Sequence, residues 1–263
     1  MKEIIHPISF SAYRQIPAAS NSSLKAYDRS PAHAKQAFDA PREPTDEMTF
    51  GSLTDHLLFG TEFSYAVSPF DDFRTKDAKA WKESQESAGI RPLKGAVYNH
   101  AARLVKSINE HGIVRQLMQS GRSQVALVAE VEGVPCKALV DWVSDEIQAL
   151  ADLKTTDDAS PRAFSRHAYA MGYDVQAALY TDIWKAITGE QTDFVIIAAE
   201  REPPYAVACY LATPAFIETG RTRYKVRLAK HAECVRTGVW PAFGDDVIPL
   251  DPPPWAAGVS TES

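Results

Sequence analysis

Residues 125–154 read VALVAEVEGVPCKALVDWVSDEIQALADLK, and this stretch decides the fold class. It holds three β-prone runs, Val125–Val131, Cys136–Val143 and Ile147–Leu153. The turn-like segments Glu132-Gly133-Val134-Pro135 and Ser144-Asp145-Glu146 separate them, which predicts an antiparallel meander. The third run ends in Asp152-Leu153-Lys154 and opens into Thr155-Thr156-Asp157-Asp158. Residues two apart on a strand point to one side, so Asp152 and Lys154 share a face and Leu153 points the other way. Asp141, on the preceding strand, can lie across from that pair. Two carboxylates converging near a lysine offer hard oxygen ligands with room left for water and phosphate, which is what a Mg²⁺ site requires. An isolated Asp-x-Lys also fits a solvated strand end with a surface ion pair, so its neighbours decide the reading.

Outward from the meander, apolar residues Phe164, Ala168, Met171, Val175, Leu179 and Ile183 form one stripe, predicting a long helix from about Pro161 to Ile187. Two strands, Phe194–Ala199 and Ala206–Leu211, flank the turn Arg201-Glu202-Pro203-Pro204, and a helix from Pro214 to about Thr237 follows. Toward the N-terminus, Ser22 or Ser23 can cap a helix from near Leu24 toward Phe38, with Pro31 forcing a break or a new first turn. A spacer at Pro41–Pro44 precedes a helix from Asp46 to Phe59 that stops at Gly60. The polar stretch Ser68–Pro92 reads as a mobile loop or lid. A helix from about Lys94 to Ser120 rests on Val97, Ala101, Leu104, Val105 and Ile108. The order α-βββ-α-ββ-α predicts an α/β fold, a mixed central sheet flanked by helices with an N-terminal helical portion. One domain is expected over residues 1–250, its helical part at about 21–120 and its sheet core at about 123–240. A flexible Pro-rich tail, 251–263, follows, in which Pro252–Pro254 and Trp255 could dock on a neighbour.

The 263 residues are 45% apolar and 24% charged, an ordinary soluble composition with material for a core. Net charge is −6. Nucleic-acid binders are more often basic, but a site that gathers carboxylates around a metal lowers the net charge, and phosphates then need only a local basic track. Cys136, Cys209 and Cys234 are far apart and include no CxxC pair, which argues against a zinc or iron–sulfur centre and fits a reducing cytoplasm. The N-terminus MKEIIHPISF lacks an apolar signal core, and no apolar run approaches the ~20 residues of a membrane span. A soluble, cytoplasmic protein is expected.

Further residues fall into order around Asp-x-Lys. Gly51-Ser52-Leu53-Thr54-Asp55-His56 places His56 on an upstream helix, and Gln176 and Tyr180 stand four apart on the long helix. By itself His56, beside Leu53, Leu57 and Leu58, reads as a partly buried helix residue. Gln176 and Tyr180 by themselves read as a helix rim pair. The succession Ser23-Leu24-Lys25…Ser30-Pro31, Gly51…His56, Asp141, Asp152-Leu153-Lys154, Gln176…Tyr180 resembles the RecB-type branch of PD-(D/E)XK nucleases. The closest likeness is to the phage and prophage exonuclease VIII group, the nuclease domain of RecE, over about Asn21 to Trp184.

That resemblance implies a restriction-endonuclease-like fold and a set of roles. His56, Asp141 and Asp152 would be metal ligands together with the backbone carbonyl of Leu153. Lys154 would be the catalytic lysine, and Gln176 and Tyr180 would orient DNA or active-site residues. It further implies a Mg²⁺-dependent exodeoxyribonuclease, with Mn²⁺ as substitute, acting on double-stranded DNA ends 5′ to 3′ and leaving 3′ single-stranded tails. A ring-like homo-oligomer such as a tetramer, a RecT-like single-strand annealing partner and a bacterial or phage-infected cytoplasm complete the expectation. Asp152 stands where the branch more usually has Glu, one methylene longer, and the four cysteines of the iron–sulfur subgroup are missing. Rival readings are a nuclease-fold protein that binds DNA ends without catalysis, and an endonuclease of the same fold.

Basic residues could follow the DNA backbone. Candidates are Arg162, Arg166 and His167, then Arg221, Arg223, Lys225, Arg227 and Lys230, whose alternative is the solvated face of an amphipathic helix. Lys76, Lys79 and Lys82 are similar, and Trp81 could stack on a base or pack. Ser23 and Lys25 could contact a phosphate, although Ser23 is first an N-cap. Glu130 could serve a second metal or face outward from its strand.

Overall fold

The chain begins with β1 (Lys2–Ile5), a four-residue strand too short to be read from its pattern. A computed structural model describes residues 2–39, 45–244 and 246–252. The Pro41–Pro44 spacer and the tail beyond residue 252, Trp255 included, lie outside them. Helices α1 (Phe10–Gln15), α2 (Asn21–Lys25) and α3 (Pro31–Asp39) follow. Ser20, not Ser22 or Ser23, caps α2. Its Oγ accepts the Ser23 N–H at 3.3 Å while Ser23 Oγ accepts the Ser20 N–H at 2.9 Å, a reciprocal capping box. Pro31 opens a new helix, as its missing N–H allows. Helix α4 (Asp46–Phe59) has the expected bounds, with Thr45 as N-cap and Gly60 in the left-handed region at φ 69°.

The segment read as a lid is ordered structure. Strands β2 (Tyr65–Val67) and β3 (Arg91–Leu93) pair in parallel around α5 (Lys76–Ser87). This helix is polar along most of its length but buries Ala78 and stacks Trp81 on Phe73, centroids 6.2 Å apart. The helix expected over 94–120 breaks at His111 into α6 (Gly95–Glu110) and α7 (Gly112–Leu117).

The meander forms as β4 (Gly121–Val131), β5 (Val134–Ser144) and β6 (Ala149–Thr156). With β7 (Asp193–Glu200) and β8 (Val207–Leu211) they make a six-stranded sheet ordered β1-β4-β5-β6-β7-β8. All neighbours are antiparallel except β6 and β7. A parallel pair needs a crossover, supplied by α8 (Pro161–Met171) and α9 (Tyr173–Thr188). These were expected as one helix, but Gly172, at φ 79°, ends the first and starts the second. Last comes α10 (Pro214–Thr237).

Alternation along β6 builds two cores. Leu150 joins Ile196 and Ala198 beneath Val175, Leu179 and Ile183 of α9, with Leu24, Tyr27 and Ala34 packed alongside. Ala149, Ala151 and Leu153 join Val195 and Ile197 on the other face, under Leu104, Ile108 and Leu117. Each fully buried Leu or Ile contributes roughly 1.5–3 kcal/mol, so the central strands are held from both sides. Helix α10 lies close on α9: a Cβ added at Gly220 would fall 1.9 Å from the Asp174 carbonyl oxygen. Ion pairs lock the crossing, Arg221 to Asp182 at 2.8 Å and Arg223 to the buried Asp174 at 2.8 Å. Among the described residues no helix is long and apolar enough to cross a membrane.

Candidate active site

The β5–β6 ladder runs from Ser144↔Ala149 only as far as Trp142↔Ala151. Beyond it the strands part, and side chains take over. Asp141 Oδ2 accepts the Leu153 N–H at 3.0 Å, a carboxylate in place of a backbone partner. On the other side of β5, the β4 register skips the position opposite Asp141, where Gln124 takes φ 52°. Val140 packs into the α9-side core while Trp142 packs against the opposite one, so β5 turns over at Asp141. A strand residue's N–H and C=O point to the same edge, so the Leu153 carbonyl also faces the opened gap.

Asp152 projects toward α9 and is 2% exposed. Its Oδ1 accepts from Gln176 Nε2 at 2.5 Å. Its Oδ2 is buried, lies 2.5 Å from Lys154 Nζ as an ion pair and has no further partner. The Lys154 ammonium also sits 4.9 Å from the ring centroid of Tyr173, a cation–π contact. Tyr173 is wedged against Phe164 and His167, centroids 6.2 and 5.8 Å away. It is the first residue of α9, so the helix break at Gly172 is what delivers it. Tyr180 is buried behind Asp152, edge-on to Phe194 at 6.0 Å and hydrogen-bonded to the Leu139 backbone.

A third carboxylate belongs here that the sequence reading passed over. Asp55, on α4, has its acidity weakened to about 7, first by burial and then by the charge of Asp152, with Lys154 opposing. Asp141 is raised well above the usual range by burial, then by Asp152 and Asp55. Burial alone would lower the Lys154 ammonium, but Asp152 and Asp141 outweigh it and hold the proton more tightly than usual. Three carboxylates therefore face one ammonium in a water-poor gap. Hard oxygen donors, surplus negative charge and a buried carboxylate oxygen with no partner but the Lys154 ammonium fit a divalent Mg²⁺- or Mn²⁺-type ion. Among the described residues no three acidic, His or Cys side chains stand at ligand spacing. The reason is visible in the contacts: Asp152 is turned to Gln176 and Lys154, and Asp141 to the Leu153 N–H.

His56 takes no part in this cluster. Its Nδ1 bonds the Thr61 carbonyl at 2.6 Å and its ring packs edge-on to Tyr65, at 5.3 Å. The structure thus puts Asp55, one residue earlier, where the sequence reading put His56. The signal was present: a carboxylate amid the apolar residues Leu53, Leu57 and Leu58 of a helix that must be buried.

Other expected contacts separate into spent and available groups. Ser23 is consumed by its capping box. Lys25 Nζ donates to the Met171 carbonyl at 2.9 Å, beside the α8–α9 break, and Lys154 is among the cations that lower its proton affinity after burial and Arg227. Arg162 and Arg166 are exposed on α8. On α10, Arg221, Arg223, Lys225 and Arg227 are paired with Asp182, Asp174, Glu132 and Asp28, so this group is an ion-pair face rather than a free basic track. Glu130 is exposed on β4, and Trp81 packs on Phe73.

Residues 20–247 match the family model of the PDDEXK-like domain of unknown function (DUF3799), and the chain belongs to this family. Among solved structures, a candidate exonuclease from Eubacterium rectale aligns with a TM-score of 0.64 at 17% identity, covering 95% of this chain and 96% of that one. The two share a fold. A phage-related exonuclease from Haemophilus somnus 129PT is 12% identical, with a TM-score of 0.38 over 86% of this chain and 99% of that one. No curated protein matches the chain.

Proposed function

We propose that the chain is a divalent-metal-dependent exodeoxyribonuclease that digests linear duplex DNA from its ends. The observation that carries this reading is the meeting of Asp55, Asp141, Asp152 and Lys154 at the opened β5–β6 strand end, with one Asp152 oxygen buried and held only by the Lys154 ion pair. When bound by these carboxylates, Mg²⁺ or Mn²⁺ would polarise the scissile phosphate and acidify a water. The remaining chemistry belongs to the chain. Gln176 fixes the rotamer of Asp152. Asp141 is fixed by the Leu153 N–H, and the Leu153 carbonyl adds a further oxygen on the same edge.

Lys154 is held protonated by its carboxylate neighbours, so it serves as a donor that orients the attacking water and steadies the charge growing on the phosphoryl oxygens. Water adds to phosphorus, the bond to the leaving oxygen breaks, and that oxygen takes up a proton. On the resemblance to the exonuclease VIII group, digestion runs 5′ to 3′, leaves 3′ tails for a RecT-like annealing protein, and takes place in a ring-like homo-oligomer. Arg162 and Arg166, exposed on α8, and Lys25 on α2 remain the candidate phosphate contacts.

The test is digestion of linear duplexes labelled at the 5′ or the 3′ end, beside a closed circle, with Mg²⁺ or Mn²⁺ and with Lys154→Ala as control. Linear DNA should be consumed, 5′ label released first, the circle spared and the variant inactive. A cut circle would make the chain an endonuclease. Tight binding to ends with no cleavage in either metal would make it a binding protein.

A further inference from the structure

The α8–α9 break is held by two cations that come from distant parts of the chain. The last carbonyls of an α-helix have no partner within the helix, and its C-terminus carries partial negative charge, so cationic donors suit it. The Gly172 N–H serves the Ala168 and Tyr169 carbonyls. The Met171 carbonyl takes Lys25 Nζ, from α2, at 2.9 Å. The Tyr169 carbonyl also takes Arg223 Nη1, from α10, at 3.2 Å, and that guanidinium lies 4.7 Å from the centroid of the Tyr169 ring. The same Nη1 donates to Asp174 at 2.8 and 2.9 Å, one distance to each carboxylate oxygen. Asp174 is fully buried and is the acid in the first turn of α9, where a helix end favours negative charge. Arg223 thus spans the break, with the end of one helix and the start of the next in its grip.

Gly172 makes the turn in the left-handed region, and a Cβ added there would meet nothing within 4 Å. No side chain is therefore wedged into the turn itself, and the cations on its flanks fix the angle between the helices. That angle matters because Tyr173, the next residue, carries its ring to 4.9 Å from Lys154 Nζ. We propose that Lys25 and Arg223 are positioning residues for Lys154: by clamping the α8–α9 break they hold the Tyr173 ring beside its ammonium. Helices α2 and α10 thereby act on a centre to which neither contributes a carboxylate. Lys25 is exposed, so replacing it leaves both cores intact. Arg223 faces a buried acid, so its test variant must keep the positive charge.

The effect on cleavage rests on the nuclease reading, so Lys154 is also observed directly, in EDTA. Protein carrying isotope-labelled lysine gives a resonance for the Lys154 ε-methylene, assigned with Lys154→Arg. The neighbouring ring shifts these protons upfield, and Tyr173→Leu supplies the position without the ring. In Lys25→Met and in Arg223→Lys the resonance should move toward that of Tyr173→Leu, and Lys25→Arg, which keeps a charged donor, should bring it back. With Mg²⁺ and saturating linear duplex, single-turnover cleavage by Lys25→Met and Arg223→Lys should fall about threefold or more. The double variant Lys25→Met/Tyr173→Leu should be no slower than Tyr173→Leu, because both changes act through one ring. The proposal is overturned if the Lys154 resonance stays at its wild-type position in both variants. A loss confined to DNA affinity, with the saturated rate intact, also overturns it and leaves Lys25 as a phosphate contact only. A wild type that cleaves nothing, with the resonance moving as expected, keeps the clamp and removes the nuclease reading.

Discussion

Replacing Asp55 by Asn should make the metal-free protein more stable at pH 8 and less responsive to Mg²⁺. In the folded chain Asp55 titrates near 7, against an ordinary value of 3.8. Because the folded pKa is the higher one, the native state binds more protons than the unfolded state between these values. Wild-type stability therefore falls as pH rises from about 4 to about 7 and levels above that. Full ionisation of Asp55 costs at most about 4 kcal/mol. The side chain keeps partial contact with water, so about half, roughly 2 kcal/mol, is a reasonable expectation. For a chain of this length that corresponds to a rise in Tm of roughly 4–8 °C for the variant at pH 8. Near pH 4 the two proteins should melt together, because the wild-type carboxyl is already protonated. Mg²⁺ should raise the wild-type Tm more than that of Asp55→Asn, whereas His56→Gln should keep the full metal response. Thermal melts in EDTA and in a Mg²⁺ series, from pH 4 to 8, measure all of this. The reasoning fails if Asp55→Asn is no more stable at pH 8, if its advantage persists at pH 4, or if His56→Gln and not Asp55→Asn blunts the response to Mg²⁺.

Other substitutions bear on neighbouring contacts. Tyr173→Phe should retain cleavage because the ring under Lys154 is kept, while Tyr173→Leu should lower kcat about tenfold with little change in DNA affinity, as single-turnover rates and anisotropy would reveal. Gln176→Leu should leave Asp152 held only by its Lys154 ion pair, lowering kcat and destabilising the fold by about 1–3 kcal/mol in urea melts; an unchanged rate would deny Gln176 its positioning role. Gly220→Ala should abolish the cooperative melt or cost more than ~3 kcal/mol, since its Cβ would lie 1.9 Å from the Asp174 carbonyl oxygen; a normal Tm would mean that α9 and α10 can separate.

The local grammar of the chain was legible without tertiary structure. Three β-prone runs with turns between them fix the meander, because period-two patterning is a property of neighbouring residues. Gly60 marks the end of α4 for the same reason: a cap acts within one turn. The Asp152/Lys154 pair followed from strand alternation alone, and an ordered set of motifs identified the fold family.

What needed the third dimension is whatever depends on partners distant in sequence. The break at Gly172 is worth little locally but sets Tyr173 beneath Lys154. The basic residues of α10 looked available until acids on α9, the β4–β5 turn and the N-terminal segment claimed them. The acid of α4 is the clearest case. Asp55 and His56 are adjacent in the chain, and no local rule says which one faces the sheet. The roughly 100° between successive helix residues, once α4 is packed, turns Asp55 toward Asp141 and Asp152 and leaves His56 to the Thr61 carbonyl. Sequence determined that a carboxylate–lysine centre exists on β6. Packing decided which third acid completes it, because only packing converts a position on a helix into a direction in space.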